Sequence, residues 1–202
     1  MAKEKKKEQQ YYNGIAVDSQ EEVMMIMWLE ELIEAGYAEK LERAETYSLS
    51  ERLEREYAVE QQLKTKSKVV TKREILLEDH VYTPEFKVKW SQKAMRVFID
   101  YVYSPYKVNK SLLRFSTKGG ELTTIVEVKP GFDQNNMTRL FKINQKWMWQ
   151  RYGLFVNLIQ PHKLFEETFT PKAYLTTPTG KQRVIHWEVR TLEEYVNSLN
   201  NQ

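Results

Sequence analysis

Three stretches of the chain carry residue types that could act together chemically: Asp18-Ser19-Gln20-Glu21-Glu22, Tyr82-Thr83-Pro84-Glu85-Phe86 and Val126-Glu127-Val128-Lys129. The last alternates like a strand. Glu127 and Lys129 then share one face, while Val126 and Val128 turn the other way into apolar packing. A carboxylate and an ammonium are thus held side by side just before Pro130-Gly131 stops the strand. Glu85 follows a proline where another strand begins. If those strands are neighbours, Glu85 and Glu127 converge. An oxygen-only carboxylate set suits Mg²⁺, a hard ion that prefers carboxylates, waters and phosphate oxygens, and Mn²⁺ can substitute. A lysine beside it can orient water and stabilise charge growing on a phosphate. Glu-x-Lys alone says little. It occurs at Glu4, Glu85 and Glu127, and in isolation it reads as a surface ion pair.

The elements that must position these groups follow from patterning. A helix is expected from near Ser19, capped by Asp18 or Ser19, with Glu21 and Glu22 in its first turn and Gly36 at its end. Its body is apolar nearly all round, so it is expected to be buried, with Met24, Met25 and Met27 as core filler. Residues 50–63 read as a second, solvated helix or an extended arm. Lys64, Lys66, Lys68, Lys72 and Arg73 follow with no acid among them. They suit a mobile loop or an edge strand, serving either as a DNA-contacting strip or as lysine protection of the edge.

Phe86, Val88 and Trp90 alternate with lysines and mark a strand, and 95–103 is another β-rich run. Residues 104–120 contain Pro105 and Gly119-Gly120 and read as a hairpin or loop; Lys118-Gly119-Gly120 lacks the context of a nucleotide-binding loop. A strong strand at 122–129, a helix at 137–152 closed by Gly153, and a short apolar strand at 154–159 give a strand–helix–strand crossover within one sheet. Trp147 is assigned to the core, and Trp149 either stacks on a base or packs beneath a loop. The C-terminal part is read as a loop with Pro171 and Pro178, a strand at 184–189 and a helix from Thr191. His80, His162 and His186 have no ligand spacing and read as ordinary residues. The expected class is α/β, a mixed central sheet flanked by helices. Residues 1–12 form a disordered basic tail, and 13–202 one domain with insertions at about 46–80 and 91–120.

Composition sets the outer bounds. The 202 residues are 41% apolar, enough for a sizeable core. With no cysteine there is no disulfide scaffold, thiolate zinc site or cysteine nucleophile, which fits a reducing compartment. No apolar run approaches the ~20 residues that span a bilayer, and the charged N-terminus lacks the apolar stretch of a signal peptide. A cytoplasmic protein without a membrane partner is expected. The net charge of +3 is unevenly spread: residues 21–60 hold twelve Glu against four Lys or Arg, whereas 61–202 hold twenty-three Lys or Arg against thirteen Asp or Glu. A basic body favours a polyanionic partner such as DNA.

Taken in order, a helix-borne glutamate, Thr83-Pro84-Glu85-Phe86 and Val126-Glu127-Val128-Lys129 resemble the PD-(D/E)xK nuclease superfamily. Within it the chain is similar to small phage endonucleases of the Holliday-junction resolvase type and to the endonuclease subunit of heteromeric transposases. The similarity covers residues 17–36 and 81–160, including the helix Phe141-Lys142 to Lys146 that runs into Arg151-Tyr152-Gly153. The resemblance implies a restriction-endonuclease-like core and Mg²⁺-dependent DNA phosphodiester hydrolysis. It implies Glu85 and Glu127 as metal ligands, the Val128 carbonyl as a further ligand, Glu22 as a supporting carboxylate with Glu21 as fallback, and Lys129 as the catalytic lysine. It places Lys142, Gln145 and Lys146 on a helix that faces the phosphates, and Arg151 is added as a further basic residue of that helix to hold the DNA backbone. Lys68 and Lys72 are added from the basic strip. The chain departs from the family at Glu85, where Asp is usual; Glu is one methylene longer.

These features suggest a phage or mobile-element enzyme, in the host cytoplasm if phage-encoded, with a homodimer expected for a junction resolvase because two symmetric cuts need two sites. The alternatives are a transposase subunit that cuts only with its partner, a non-catalytic DNA-binding protein on the same fold, or a phage structural protein.

Overall fold

The computed structural model describes residues 9–62, 65–105, 111–116, 121–131 and 137–200. Residues 1–8 of the expected tail, Lys64 and Lys118-Gly119-Gly120 lie outside the described residues. The chain divides into two compact units, one formed by Met1–Ala44 and Pro84–Gln202, the other by Glu45–Thr83.

In chain order the elements are β1 (Gln10–Tyr12), β2 (Ile15–Val17), α1 (Gln20–Glu34), β3 (Ala38–Arg43), β4 (Tyr47–Ser50), β5 (Leu53–Gln62), β6 (Ser67–Leu77), β7 (His80–Tyr82) and β8 (Phe86–Trp90). There follow β9 (Ile99–Tyr101), β10 (Leu113–Phe115), β11 (Thr123–Val128), α2 (Met137–Tyr152), β12 (Val156–Ile159), α3 (Pro161–Glu167) and α4 (Leu192–Asn200). The larger unit is built on a mixed four-stranded sheet of order β12-β11-β8-β3, with helices packed on it. β11 runs parallel to β12, with α2 as the crossover, and antiparallel to β8, which is antiparallel to β3. The expected strand–helix–strand crossover is therefore present, and the architecture is mixed α/β.

α1 is the central element of the core. Met25, Ile26, Trp28, Leu29 and Leu32 are fully buried, together with Phe86, Val88, Val126 and Val128 from one sheet face. Trp28 packs edge-on to Trp90 and Phe98 at 6.3 and 5.6 Å and stacks on Phe169 at 5.6 Å. Its Nε1–H donates to Thr168 Oγ1 at 3.1 Å, so the one polar atom of this ring is satisfied inside the core. Gly36, at φ +73°, ends the helix in the left-handed region open to glycine.

Several expectations are corrected. Of the two forms expected for each segment, 53–62 takes the extended one as a strand and not the helix, and 67–77 is its antiparallel partner, so Lys68, Lys72 and Arg73 of the Lys-rich strip lie on a strand as the second of its expected forms has it. A Glu/Arg/Leu composition reads as helical, but Tyr57, Val59, Val69 and Val70 favour the pleated form. In this hairpin of the smaller unit, Arg55 pairs with Glu74 and Glu56 with Arg73 across the strands. β4 pairs with β7 in the same unit. Residues 10–12 are a strand instead of tail, because Asn13-Gly14, both at positive φ, turn β1 back onto β2.

Of 95–103, only β9 is a strand, with β10 parallel beside it. Residues 184–189 form no strand. They are irregular, with a bend at Trp187, and their alternation reflects Ile185 and Trp187 docking on the core while Val184 stays exposed. Trp147 is not a core residue. The buried face of α2 is Phe141, Asn144 and Met148, and Trp147 is 38% exposed. Trp149 packs on Tyr103 at 5.7 Å. Among the described residues no helix is long and apolar enough to cross a membrane.

If the fold rests on this aromatic centre, Trp28→Ala removes both its packing and a buried hydrogen bond. The expected loss is about 3–5 kcal/mol of unfolding free energy, read from urea denaturation.

Candidate active site

The site is set by sheet register. Phe86 lies opposite Val126 at the end of the β8–β11 ladder, and Glu85 sits in the bend just before β8, where the carboxylates of Glu22 and Glu127 act on it electrostatically. The Glu85 backbone is pinned on both sides: its N–H donates to the Val126 carbonyl at 3.0 Å, and its carbonyl accepts from the Ala44 N–H at 3.2 Å. Glu127 and Lys129 share a face as the alternation requires, and Lys129 Nζ sits 2.6 Å from Glu127 Oε1. Both are largely withdrawn from solvent, Glu127 being 6% exposed. Val128, between them, buries its side chain in the core.

Glu22 reaches the same place from α1. Ser19 is the N-cap and its hydroxyl accepts from the Glu22 N–H at 3.2 Å. The Glu22 carboxylate reaches back to accept from the Ser19 hydroxyl at 3.1 Å and the Asp18 N–H at 3.3 Å. This is a capping box, and it explains why a charged side chain only 3% exposed is tolerated at a helix start.

The residue that joins these parts is Arg43, at the end of β3. Its Nη2 lies 2.7 Å from Glu22 Oε2, and its Nη1 lies 3.0 Å from Glu85 Oε2 and 3.4 Å from the Glu85 carbonyl oxygen. Asp18 is a longer contact at 3.8 Å, and the guanidinium lies over the Phe86 ring at 5.0 Å. Sequence reasoning missed Arg43. The alternation of Lys40-Leu41-Glu42-Arg43 marks a strand, but nothing in it says which carboxylates that strand will meet.

Glu22, Glu85, Glu127 and Lys129 are therefore brought to one region, as expected from the sequence, with Arg43 added. Glu85 bears the electrostatic load. Burial pushes its carboxyl up to about 7, the charges of Glu22 and Glu127 push the same way, and Arg43 and Lys129 pull it back. The donor set is oxygen-only and carries a carboxylate whose ionisation a further cation would relieve, which fits a hard divalent ion in kind. In the arrangement seen, no group of three or more His, Asp or Glu among the described residues is close enough to hold a metal, and the carboxylates are held by Arg43 and Lys129.

The other expected site residues divide. Lys142, Lys146 and Arg151 are exposed along α2. Gln145 does not face outward, because its amide donates to the Val156 carbonyl at 2.6 Å and ties α2 to β12. Lys68 and Lys72 lie on β6 of the smaller unit and are exposed. Glu21 is half-buried in the first turn of α1, outside the capping box. His162 bonds Tyr174 and packs on Trp187, an ordinary role. Comparison of the chain with protein-family models, curated proteins and solved structures returns no match.

The raised Glu85 carboxyl has a defined consequence. Because it titrates higher in the folded state than in the unfolded chain, its contribution to stability is complete below about pH 4.5. That contribution is lost as pH rises through about 7. Glu85→Gln, in EDTA, is expected to gain on the wild type by on the order of 1–2 kcal/mol between pH 5 and pH 8. Denaturant unfolding at both pH values reads this, and a stability difference constant with pH would refute it.

Proposed function

We propose that this chain is a metal-dependent DNA endonuclease with a restriction-endonuclease-like core, of the PD-(D/E)xK kind. One observation carries the reading: Glu85, in the bend that leads into β8, lies within electrostatic reach of Glu127 on the neighbouring antiparallel strand β11, Lys129 Nζ is 2.6 Å from Glu127, and Glu22 is drawn to the same end by Arg43. A bound Mg²⁺ or Mn²⁺ supplies Lewis acidity toward a phosphate oxygen and acidifies a water.

Glu85, Glu127 and the Val128 carbonyl would hold that ion. Lys129, fixed beside Glu127, orients the attacking water and stabilises the charge that builds on the phosphate. Glu22 acts at one remove, as a supporting carboxylate at the edge of the cluster. The exposed cations of α2, Lys142, Lys146 and Arg151, bind the DNA backbone without reading sequence.

The hairpin of the smaller unit supports a DNA partner independently. Its register biases charge between its faces: Lys68 opposite Gln61, Val70 opposite Val59, Lys72 opposite Tyr57 and Arg55 opposite Glu74 make one face of net positive charge, while Glu54, Glu56 and Glu60 fall on the other with Arg73. A basic face with an aromatic ring suits a phosphate backbone.

The direct test is cleavage of plasmid and branched DNA with Mg²⁺ or Mn²⁺. Lys129→Ala and Glu127→Gln, folded by circular dichroism, are expected to lose about 10²–10³-fold or more in rate. Cleavage by the variants equal to the wild type would discard the assignment, as would an inert wild-type protein on both substrates. In filter binding, Lys68→Ala/Lys72→Ala is expected to weaken DNA binding and to flatten the slope of log K against log salt by about 0.9 per lost phosphate contact.

A further inference from the structure

Arg43 occupies a position that the nuclease reading leaves unexplained. It is the cation between the helix carboxylate and the strand carboxylate, 2.7 Å from Glu22 and 3.0 Å from Glu85. Its two partners differ in how firmly they are held. The Glu22 carboxylate is fixed by the Ser19 hydroxyl and the Asp18 N–H, so it stays with the capping turn. The Glu85 carboxylate has Arg43 as its hydrogen-bonded and ion-paired partner, while on its other side Glu127 and Lys129 at the end of β11 lie near enough to act on it electrostatically. Glu85 can therefore turn between a cation on the β3 side and any cation on the β11 side.

We propose that Arg43 is the resident cation of this carboxylate cluster, and that a divalent ion binds by drawing Glu85 away from it toward Glu127. The inference rests on the metal-binding part of the nuclease reading and adds to it the group that sets the affinity. Arg43 stays on Glu22 throughout, so the guanidinium is a placeholder at one end and an anchor at the other. Its stack over Phe86 keeps it in place when Glu85 leaves. Two opposite effects follow from removing it. Without the ion the cluster loses a cation and the fold is weakened, because partly buried carboxylates are left facing one another. With the ion, a competitor and a nearby positive charge are gone, and binding tightens.

The experiment uses the full chain, wild type and Arg43→Gln, with Mn²⁺ titrated by calorimetry and Tm measured in EDTA and in Mn²⁺. Arg43→Gln is expected to lower Tm in EDTA by several degrees. It is also expected to bind Mn²⁺ on the order of tenfold more tightly, with a larger Mn²⁺-induced rise in Tm than the wild type shows. A role confined to stabilising the fold lowers Tm and leaves Mn²⁺ affinity unchanged or weaker, and that result overturns the proposal.

Glu127→Gln, expected to abolish the Mn²⁺ signal, locates the ion at the cluster; retention of that signal overturns the proposal. Should Arg43→Gln fail to fold, the wild-type protein still decides. The Arg43 side-chain Nε–H resonance, assigned with Arg43→Lys, is expected to shift saturably with Mg²⁺, and a resonance that does not move while Mg²⁺ binds refutes displacement. Equal Mn²⁺ affinity in wild type and variant defeats this inference and leaves the metal reading standing. No Mn²⁺ binding by either protein defeats both.

Discussion

Like charges gathered where water is scarce repel, and this repulsion is what the rest of the larger unit is arranged to contain. Glu22, Glu85 and Glu127 come from a helix cap and two strands, and each is largely withdrawn from solvent. The molecule answers with Arg43 and Lys129 and with donors from the capping turn. The compensation is incomplete. Glu85 still carries a carboxyl pushed up to about 7, first by burial and then by its acidic neighbours. A site whose carboxylates are short of cations is one that accepts another, and the proposed metal chemistry starts from that shortage.

Geometry follows from two ordinary structural rules working at one place. Antiparallel pairing of β8 with β11 brings the bend at Glu85 against Val126, beside Glu127, and strand alternation sets Lys129 beside Glu127. A capping box turns the first glutamate of α1's inner face back toward its own N-terminus, where β3 ends and Arg43 waits. The core holds these parts in position. α1 is buried against the sheet by Trp28 and its aromatic partners, so the capping turn cannot drift from the strand ends without breaking that packing.

Much of this could be read from residue types and spacing. The capped start of α1, the alternation of Phe86, Val88 and Trp90, the Val-Glu-Val-Lys strand and the α2 crossover all rest on local periodicity, and local periodicity survives folding. What could not be read depends on partners far away in the chain. The 53–62 segment has a helical composition, yet it pairs with 67–77 because cross-strand Arg55–Glu74 and Glu56–Arg73 contacts exist only once both strands meet. Trp147 and Met148 are adjacent, and only the packing of α2 on β12 decides which of them is buried. Residues 184–189 alternate without a strand beside them, since alternation reports two faces and not a ladder. The Asn13-Gly14 hairpin and the Pro161 start of α3 had local signals that went unread. Arg43 had none, because its meaning lies in Glu22 and Glu85, at sequence distances no pattern spans.

The glutamate at position 85 takes on a role of its own in this setting. On the proposed nuclease reading it stands where a shorter aspartate is usual. A carboxylate on a short arm, with its backbone pinned between β3 and β11, would have little choice of partner. The extra methylene of Glu85 adds a rotatable bond, and its Oε2 turns back onto the same Arg43 nitrogen that its own carbonyl faces at 3.4 Å. With its backbone fixed by Val126 and Ala44, only the side chain has to rotate for Glu85 to change partners. The longer acid and the arginine thus belong together: without Arg43 the Glu85 carboxylate would face Glu22 and Glu127 with its nearest cation gone, while Arg43 is held in reach of it by Glu22.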